Sequence, residues 1–547
     1  MSTKAELSRA DTLVTTTSGW EAHETVPIWL SGTTFPQTAR IEADTRVDVC
    51  VVGGGMAGLS VAYELLRGGR SVIVLERHTP GSGETQRSTA QLSTALEKRY
   101  FDLERLHGPE GARMAAESHA AAITHVERIV AEENIDCAFQ RRDGYLFAAP
   151  GHGHDTLTRE LRAARRAGLR GIDIVPRGPT PELDLGPCLR FAGQAEMSPT
   201  RYVAGLARAI LCAGGRIFSE TQAQTIEGGR PASVRTAHGP VIVAEHVVVA
   251  TNTPVNNILA LHTKQGAYRT YVIAAALRKG SVARALYWDT DAPYHYVRCT
   301  TDDDGNEWLL VGGEDHKTGQ AHHPEQRWSR VEAWMRERFP MAGAVGSRWS
   351  GQVMESMDGL AFIGRNPLDD PHVLVVTGDS GVGITHGAIA GVLVADLICG
   401  RENRWARLYD PTRVSLAAAA EFVHENLTAV RPYADWVESG DVKGEHEIGR
   451  GQGAVVRHGL RLVAVYCDER GALHRCSAAC PHLGGVVRWN EAEGSWDCPC
   501  HGSRFDAYGK VMHGPANIDL HPIEDTPLEL GEIAAPPASS DVLLTAR

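Results

Sequence analysis

No apolar run in this sequence approaches the ~18–20 residues that a membrane-spanning helix needs. The longest candidate, Ala388 to Ile398, is broken by Asp396. Long acidic runs and basic stripes are missing too. Lys and Arg number 55 against 67 Asp and Glu, a formal net charge of −12, which argues against nucleic acid as a partner. The polar, Thr- and Ser-rich first 45 residues lack the basic flank and apolar core of a signal peptide. A cytoplasmic location is the expectation. Cysteine is scarce, 11 in 547 residues, far below the density of a disulfide scaffold. Cys50, Cys137, Cys188, Cys212, Cys299, Cys399 and Cys467 are scattered, as buried small hydrophobes are.

The other four, Cys476, Cys480, Cys498 and Cys500, fall within 25 residues and beside histidines. In a reducing compartment that clustering favours a metal over a disulfide. The length allows two or three domains, and 43% hydrophobic with 22% charged residues is an ordinary globular composition.

The head of the chain, VDVCVVGGGMAGLSVAYELLRGGRSVIVLE, covers Val47 to Glu76. Val47–Val52 reads as a buried parallel strand, then a helix ending at Gly68-Gly69, then a second strand over Ser71–Leu75. Gly53, Gly55 and Gly58 form GxGxxG between strand and helix. Gly53 allows the tight turn, Gly55 lets a pyrophosphate approach the backbone, and Gly58 lets helix and strand pack closely. Glu76, 23 residues after Gly53, is placed to accept hydrogen bonds from an adenosine ribose. Strand, helix, strand and acidic residue in this order point to dinucleotide binding.

The next loop, Arg77 to Ser93, contains Ser82, Gly83, Thr85, Ser88 and Thr89. It reads either as a plain solvated connection or as hydroxyls and amides reaching a cofactor's phosphates and flavin. Two later segments favour the second reading. His246–Val255 is a strand ending in small polar residues around Thr251. Val373–Gly400 is a strand, a glycine-rich turn and a long apolar helix, whose start at Gly381, Gly383, Ile384 and Thr385 offers free N–H groups and positive dipole to a reduced flavin.

These segments, with RWSGQVMESMDGLAFIGRNP at Arg348–Pro367, resemble the D-amino-acid oxidase superfamily of flavoenzymes, in its amine- and amino-acid-oxidising branch. The resemblance spans about residues 45–405. It implies FAD in an α/β Rossmann-like domain interleaved with an antiparallel-sheet substrate domain drawn from about 100–195 and 256–350. Some relatives attach FAD covalently, but no residue here argues for attachment, so non-covalent binding is the expectation. No second GxGxxG follows a strand, so flavin reduction by an organic substrate is favoured over reduction by NAD(P)H.

The tail changes texture. Residues 401–440 read as a linker with one helix, Arg413 to Leu427, and beyond it short alternating strands form a small β-rich domain. Cys480-Pro481-His482 and Cys498-Pro499-Cys500-His501 each supply one thiolate and one imidazole. That set is adequate for tetrahedral zinc, and also for a [2Fe-2S] centre with two thiolates on one iron and two imidazoles on the other. CPHLGG, CPCHGSRFD and GKVMHGPA together resemble the Rieske domain family. The resemblance implies Cys480 and Cys498 on the inner iron, His482 and His501 on the outer one, and Gly514-Pro515-Ala516 as the covering loop. Two departures stand out. Gly485 occupies the position of the cysteine that pairs with Cys500 in respiratory members, leaving Cys476 as an alternative partner or Cys500 as a free thiol. Ser503 is kept, but Phe505 replaces a tyrosine donor, which predicts a lower potential than in respiratory Rieske proteins.

The expected organisation is an N-terminal extension (1–44), an FAD-dependent oxidoreductase (45–400), a helical linker (401–440) and an all-β Rieske domain (441–547). The joint architecture resembles bacterial FAD-dependent oxidoreductases with a C-terminal Rieske domain. It implies oxidation of a C–N bond in a small amine or amino acid, with single-electron relay through the cluster to a ferredoxin, cytochrome, quinone or oxygen. The competing readings are an oxygen-using oxidase with a structural or regulatory cluster and an NAD(P)H-dependent reductase. A Rieske-type ring oxygenase is disfavoured, because Asp369 and His372 supply only half of a mononuclear iron site. In the substrate region, Tyr296 and His316 are the candidates to lie over the flavin, with Tyr294 as a pocket wall and Arg298 placed for a carboxylate. The competing expectation is that these are strand residues packing a sheet.

Overall fold

The β-branched run near the start forms the strand Thr45–Val52 at the middle of a sheet. It pairs in parallel with Val241–Val249 on one side and Val72–Leu75 on the other. Val373–Thr377 and Arg216–Phe218 extend the sheet in parallel, and Phe362–Arg365 closes one edge antiparallel. All four side chains of Val72–Leu75 are buried, which is why the strand reads as an unbroken apolar run rather than an alternating one. The computed structural model describes residues 26–149, 154–256, 261–320, 323–414, 416–418, 426, 428, 429, 431–437 and 440–523.

Two helices follow strands of this sheet, Met56–Arg67 and Gly383–Ile398, and pack against each other. Gly391 makes this possible: a Cβ there would fall 2.9 Å from the backbone oxygen of Ser60. Both helices begin at the carboxyl edge of parallel strands, where ligands of such folds bind.

A second sheet of nine strands runs in the order Val345–Ser356, Gln265–Leu277, Glu307–Lys317, His295–Thr301, Leu286–Asp289, Gln140–Phe147, Cys188–Glu196 and Gln91–Leu92, with Ile172–Val175 beside Cys188–Glu196. It is antiparallel, as expected, except where Leu286–Asp289 runs parallel to Gly144–Phe147. Its strands come from both sides of the nucleotide-binding segments, so the two sheets are interleaved in sequence.

The tail folds as two small antiparallel sheets. One comprises Gln452–His458, Arg461–Cys467 and Leu473–Ser477. The other comprises Arg488–Asn490, Ser495–Asp497, Arg504–Asp506 and Val511–His513. The helix expected over Arg413–Leu427 falls largely outside the described residues; within them Leu416–Ala418 and Arg431–Val437 are 3-10 turns. Among the described residues no helix is long and apolar enough to cross a membrane.

Candidate functional site

A cavity of about 1550 Å³ opens at the carboxyl edge of the first sheet, larger than the roughly 300–1,000 Å³ of a site for a drug-sized ligand. Gly53 turns into it with φ +106, and a Cβ there would lie 2.4 Å from the Ala250 carbonyl oxygen. A Cβ on Gly58 would lie 1.9 Å from the Gly53 oxygen, so strand and helix can meet only through glycine. Glu76 accepts from the N–H of Gly54 at 2.7 Å and of His78 at 2.9 Å. Thr85 Oγ1 accepts from the N–H of Met56 at 3.0 Å and so sits on the N-terminus of the first helix.

Gly55, Arg77, Ser82, Gly83, Ser88, Thr89, Thr251, Gly381, Gly383 and Ile384 also line this cavity, while Gly58 and Thr385 stand behind its wall. Glycine turn, helix N-termini, acidic residue and hydroxyl-bearing loop are therefore gathered on one space whose donors and acceptors fit a flavin dinucleotide. On this geometry Gly53, Gly55 and Thr85 would hold its pyrophosphate, Glu76 its ribose, and Gly381–Ile384 the flavin ring.

The substrate-side candidates divide. Tyr294 and Tyr296 line the cavity, their ring centroids 5.7 Å apart, and the Tyr296 hydroxyl is 2.9 Å from Thr270 Oγ1. His316 does not. Its ring stacks on Tyr271 and bonds the Tyr271 hydroxyl at 2.9 Å, and burial lowers its pKa to about 4. Arg298 does not line the cavity either: it donates to the carbonyls of Thr89, Ala90 and Met197, and so holds the loop rather than facing a substrate carboxylate.

Sequence reasoning missed four carboxyl groups at this end: Glu97, Asp315, Glu355 and Asp379. Burial raises the pKa of all four, to about 7 for Asp315 and Asp379. Glu97 and Asp379 line the cavity wall beside Tyr294. No motif announces them, because they come from four separate segments.

In the tail, the two Cys–His loops repeat one turn. The Gly484 N–H donates to Cys480 O at 2.9 Å, and the Gly502 N–H to Cys498 O at 3.0 Å. The glycines adopt φ +73 and +79 there. The rings of His482 and His501 lie 5.1 Å apart. Each keeps one enclosed nitrogen without a hydrogen-bond partner, and burial lowers their pKa values to about 3 and about 4, so both imidazoles are neutral, as metal ligands must be. Among the described residues no three His, Cys, Asp or Glu gather as for a single ion. A two-iron centre asks only two protein ligands of each iron. Cys480, His482, Cys498 and His501 would supply them.

Ser503 is fully buried, and its Oγ accepts from the Ala516 N–H at 3.0 Å, tying the covering loop to the second Cys–His loop. All eleven cysteines are free, and Cys476 points to the Tyr508 carbonyl instead of to Cys500. A Cβ on Gly485 would fall 2.6 Å from Cys500 Sγ, so that sulfur already packs into the space of a missing partner. The linker also contributes: the Tyr433 hydroxyl donates to Leu483 O and Trp436 Nε1 to Gly484 O, both at 2.9 Å.

The tail is seated on the rest of the molecule through buried polar contacts. Glu493 enters a nest of three guanidiniums. It pairs with Arg504 at 2.8 Å, with Arg269 of the second sheet, and at 4.0 Å with Arg87 of the loop after Glu76. Gln352 Nε2 donates to Gly502 O at 3.1 Å, and His513 approaches Glu84 at 3.3 Å. His262, between the two sheets' segments, lays its ring against both His482 and His501 at 4.9 and 5.6 Å. Met512, His513 and Gly514 line the same cavity as Gly53 and Glu76.

A family model described as FAD dependent oxidoreductase matches residues 48–397, and a Rieske [2Fe-2S] domain model matches 438–524. A relative from Bacillus subtilis, the putative Rieske 2Fe-2S iron-sulfur protein YhfW, is 30% identical over 507 residues, covering 92% of this chain and 98% of its own. Gamma-glutamylputrescine oxidoreductase of Escherichia coli is 29% identical over 65% of this chain and 85% of its own. Among solved structures, glycine oxidase from Geobacillus kaustophilus superposes with a TM-score of 0.56 at 20% identity, covering 68% of this chain and 99% of that one, a likeness of fold.

Proposed function

We propose, for a chain that belongs to the FAD dependent oxidoreductase family and carries a C-terminal Rieske [2Fe-2S] domain, that it oxidises a C–N bond in a small amine or amino acid and passes the electrons out through the Rieske domain. When bound, FAD takes up two electrons with a hydride, and the cluster transfers electrons one at a time. The reaction balances as amine to imine with loss of two electrons and two protons. Water then hydrolyses the imine to a carbonyl compound and ammonia, and two one-electron acceptors are reduced per substrate. A ferredoxin, cytochrome or quinone fits that acceptor role.

The observation that carries the reading is the shared wall: Met512, His513 and Gly514 of the Rieske domain close the cavity that Gly53 and Glu76 open. The protein's part is to position and to exclude water. Glu76 and the glycine turn fix the dinucleotide end, the hydroxyls of Thr85 and Thr89 lie along the middle, and Tyr294 and Tyr296 wall the far end. A neutral substrate nitrogen with its C–H bond aimed across this wall needs orientation above all, so the aromatic surfaces act mainly by placement. The test is an anaerobic screen of amines and amino acids against the loaded enzyme. At least one should bleach the flavin, and bleaching by NADH or NADPH alone would refute the proposal.

A further inference from the structure

We propose that the substrate carries a second, non-reacting cation, making it a diamine or polyamine rather than an α-amino acid. This rests on the C–N oxidation reading and narrows it. Glu97, Glu355, Asp315 and Asp379 act on one another where Gly381 turns past the cavity, Glu97 and Asp379 on its wall and Asp315 and Glu355 behind them. A Cβ on Gly381 would fall 2.5 Å from Glu97 Oε2 and 3.2 Å from the Tyr294 hydroxyl. Among the described residues no Lys, Arg or His forms an ion pair with any of the four. Glu97 and Glu355 lean on each other as a carboxyl pair, and Glu97 Oε2 and Asp315 Oδ1 are enclosed with no basic group paired to them among the described residues to take their charge. Enclosed carboxyl groups in this condition hold protons while the pocket is empty and ionise when a cation arrives, so the pocket is built for one.

The rest of the wall agrees. Tyr294, Tyr296 and Trp288 present aromatic surface beside the acids, the surroundings in which an ammonium is stabilised by ring faces. A substrate carboxylate would find the opposite of what it needs. Arg298 is turned into the protein, and Arg99, the guanidinium on this wall, donates to the carbonyls of Asp289 and Leu96. One nitrogen of the substrate would thus be held as an ammonium by the carboxylates while the other, neutral, reacts.

The test uses holoenzyme under anaerobic conditions with three five-carbon probes: cadaverine, pentylamine and norvaline. Calorimetric titration gives the affinities, and flavin absorbance is followed separately. Cadaverine should bind at least about tenfold tighter than pentylamine, with norvaline weakest, as expected for a desolvated charge pair. Glu97→Gln and Asp315→Asn should each erase most of that ratio while pentylamine binding stays within about twofold. Flavin content checks that the variants fold; if one does not, the other and the wild-type ratio decide. Equal affinity for cadaverine and pentylamine, tighter norvaline, or an unchanged ratio in both variants would overturn the inference. Flavin bleaching without a diamine preference leaves the oxidation reading standing and removes this one. A preference for cadaverine with no bleaching by any amine does the reverse.

Discussion

Two buried clusters of charge in this molecule are built on opposite principles. At the junction between the oxidoreductase body and the Rieske domain, one carboxylate, Glu493, meets three guanidiniums. Burial alone would raise its pKa, but Arg269, Arg504 and Arg87 outweigh burial and hold it at about 2. At the far end of the cavity, four carboxyl groups form an ion pair with none among the described residues, and burial pushes two of them to about 7. The first cluster is complete within the protein and fixes where the Rieske domain sits. The second is incomplete and is finished by whatever enters. A buried charge that is paired serves architecture, and one left unpaired beside a cavity points to a ligand.

The largest effect should come from breaking the complete cluster. Glu493→Ala leaves three buried guanidiniums without their shared anion and should cost about 3–5 kcal/mol in chemical denaturation, with earlier proteolytic release of the tail. Glu355→Gln in the incomplete cluster should instead leave the unliganded protein about as stable at neutral pH, because burial and the neighbouring carboxyls already hold Glu355 protonated and the amide is a neutral replacement.

The pH dependences should also oppose each other. Glu493 has a folded pKa below its ordinary 4.5, so its contribution is fully present above that value and lost as pH falls toward 2. Asp315 and Asp379 have folded pKa values above their ordinary 3.8, so the folded chain holds protons that the unfolded chain has released. Their contribution is present below pH 4 and declines as pH rises to 7. Denaturation of Asp315→Asn across pH 4–8 should give a flatter profile than the parent. Glu493→Gln should lower stability above pH 4.5 and converge on the parent as pH falls toward 2.

The smallest effect concerns the cluster itself. With Phe505 in place of a donor, redox titration should give a midpoint below that of respiratory Rieske proteins, and Phe505→Tyr should raise it. An equal or higher midpoint in the parent would contradict this. Tyr433→Phe, which removes a donor to the Leu483 carbonyl beside the first Cys–His loop, should shift it less.

What could be seen in the sequence follows from how each site is assembled. Gly53, Gly55, Gly58 and Glu76 lie in one strand–helix–strand unit, and the Cys–His loops in two short stretches, so their chemistry stands in contiguous residues. The acid pocket draws on residues from Glu97 to Asp379, and neither periodicity nor spacing reveals such a set. His316 shows how fine the difference is. Its neighbour Asp315 belongs to the pocket cluster, and a one-residue change of position on a strand reverses the face. The pairing here is irregular between Arg269 and Tyr271, with Gly313 at φ +146 and Glu314 at φ +59, so alternation could not be counted through it. Arg298 shares a strand parity with Tyr294 and Tyr296 but lies past the end of the cavity, under the carbonyls of Thr89 and Ala90. The junction of Glu493 with Arg87 and Arg269 joins three distant segments and had no sequence signal.

The most direct test is electron paramagnetic resonance of the fully loaded enzyme after anaerobic addition of an amine that bleaches its flavin. A reduced Rieske signal should appear as the flavin bleaches and should disappear on adding a one-electron acceptor. A bleached flavin beside a cluster that stays oxidised, in protein whose cluster dithionite reduces, would contradict the account.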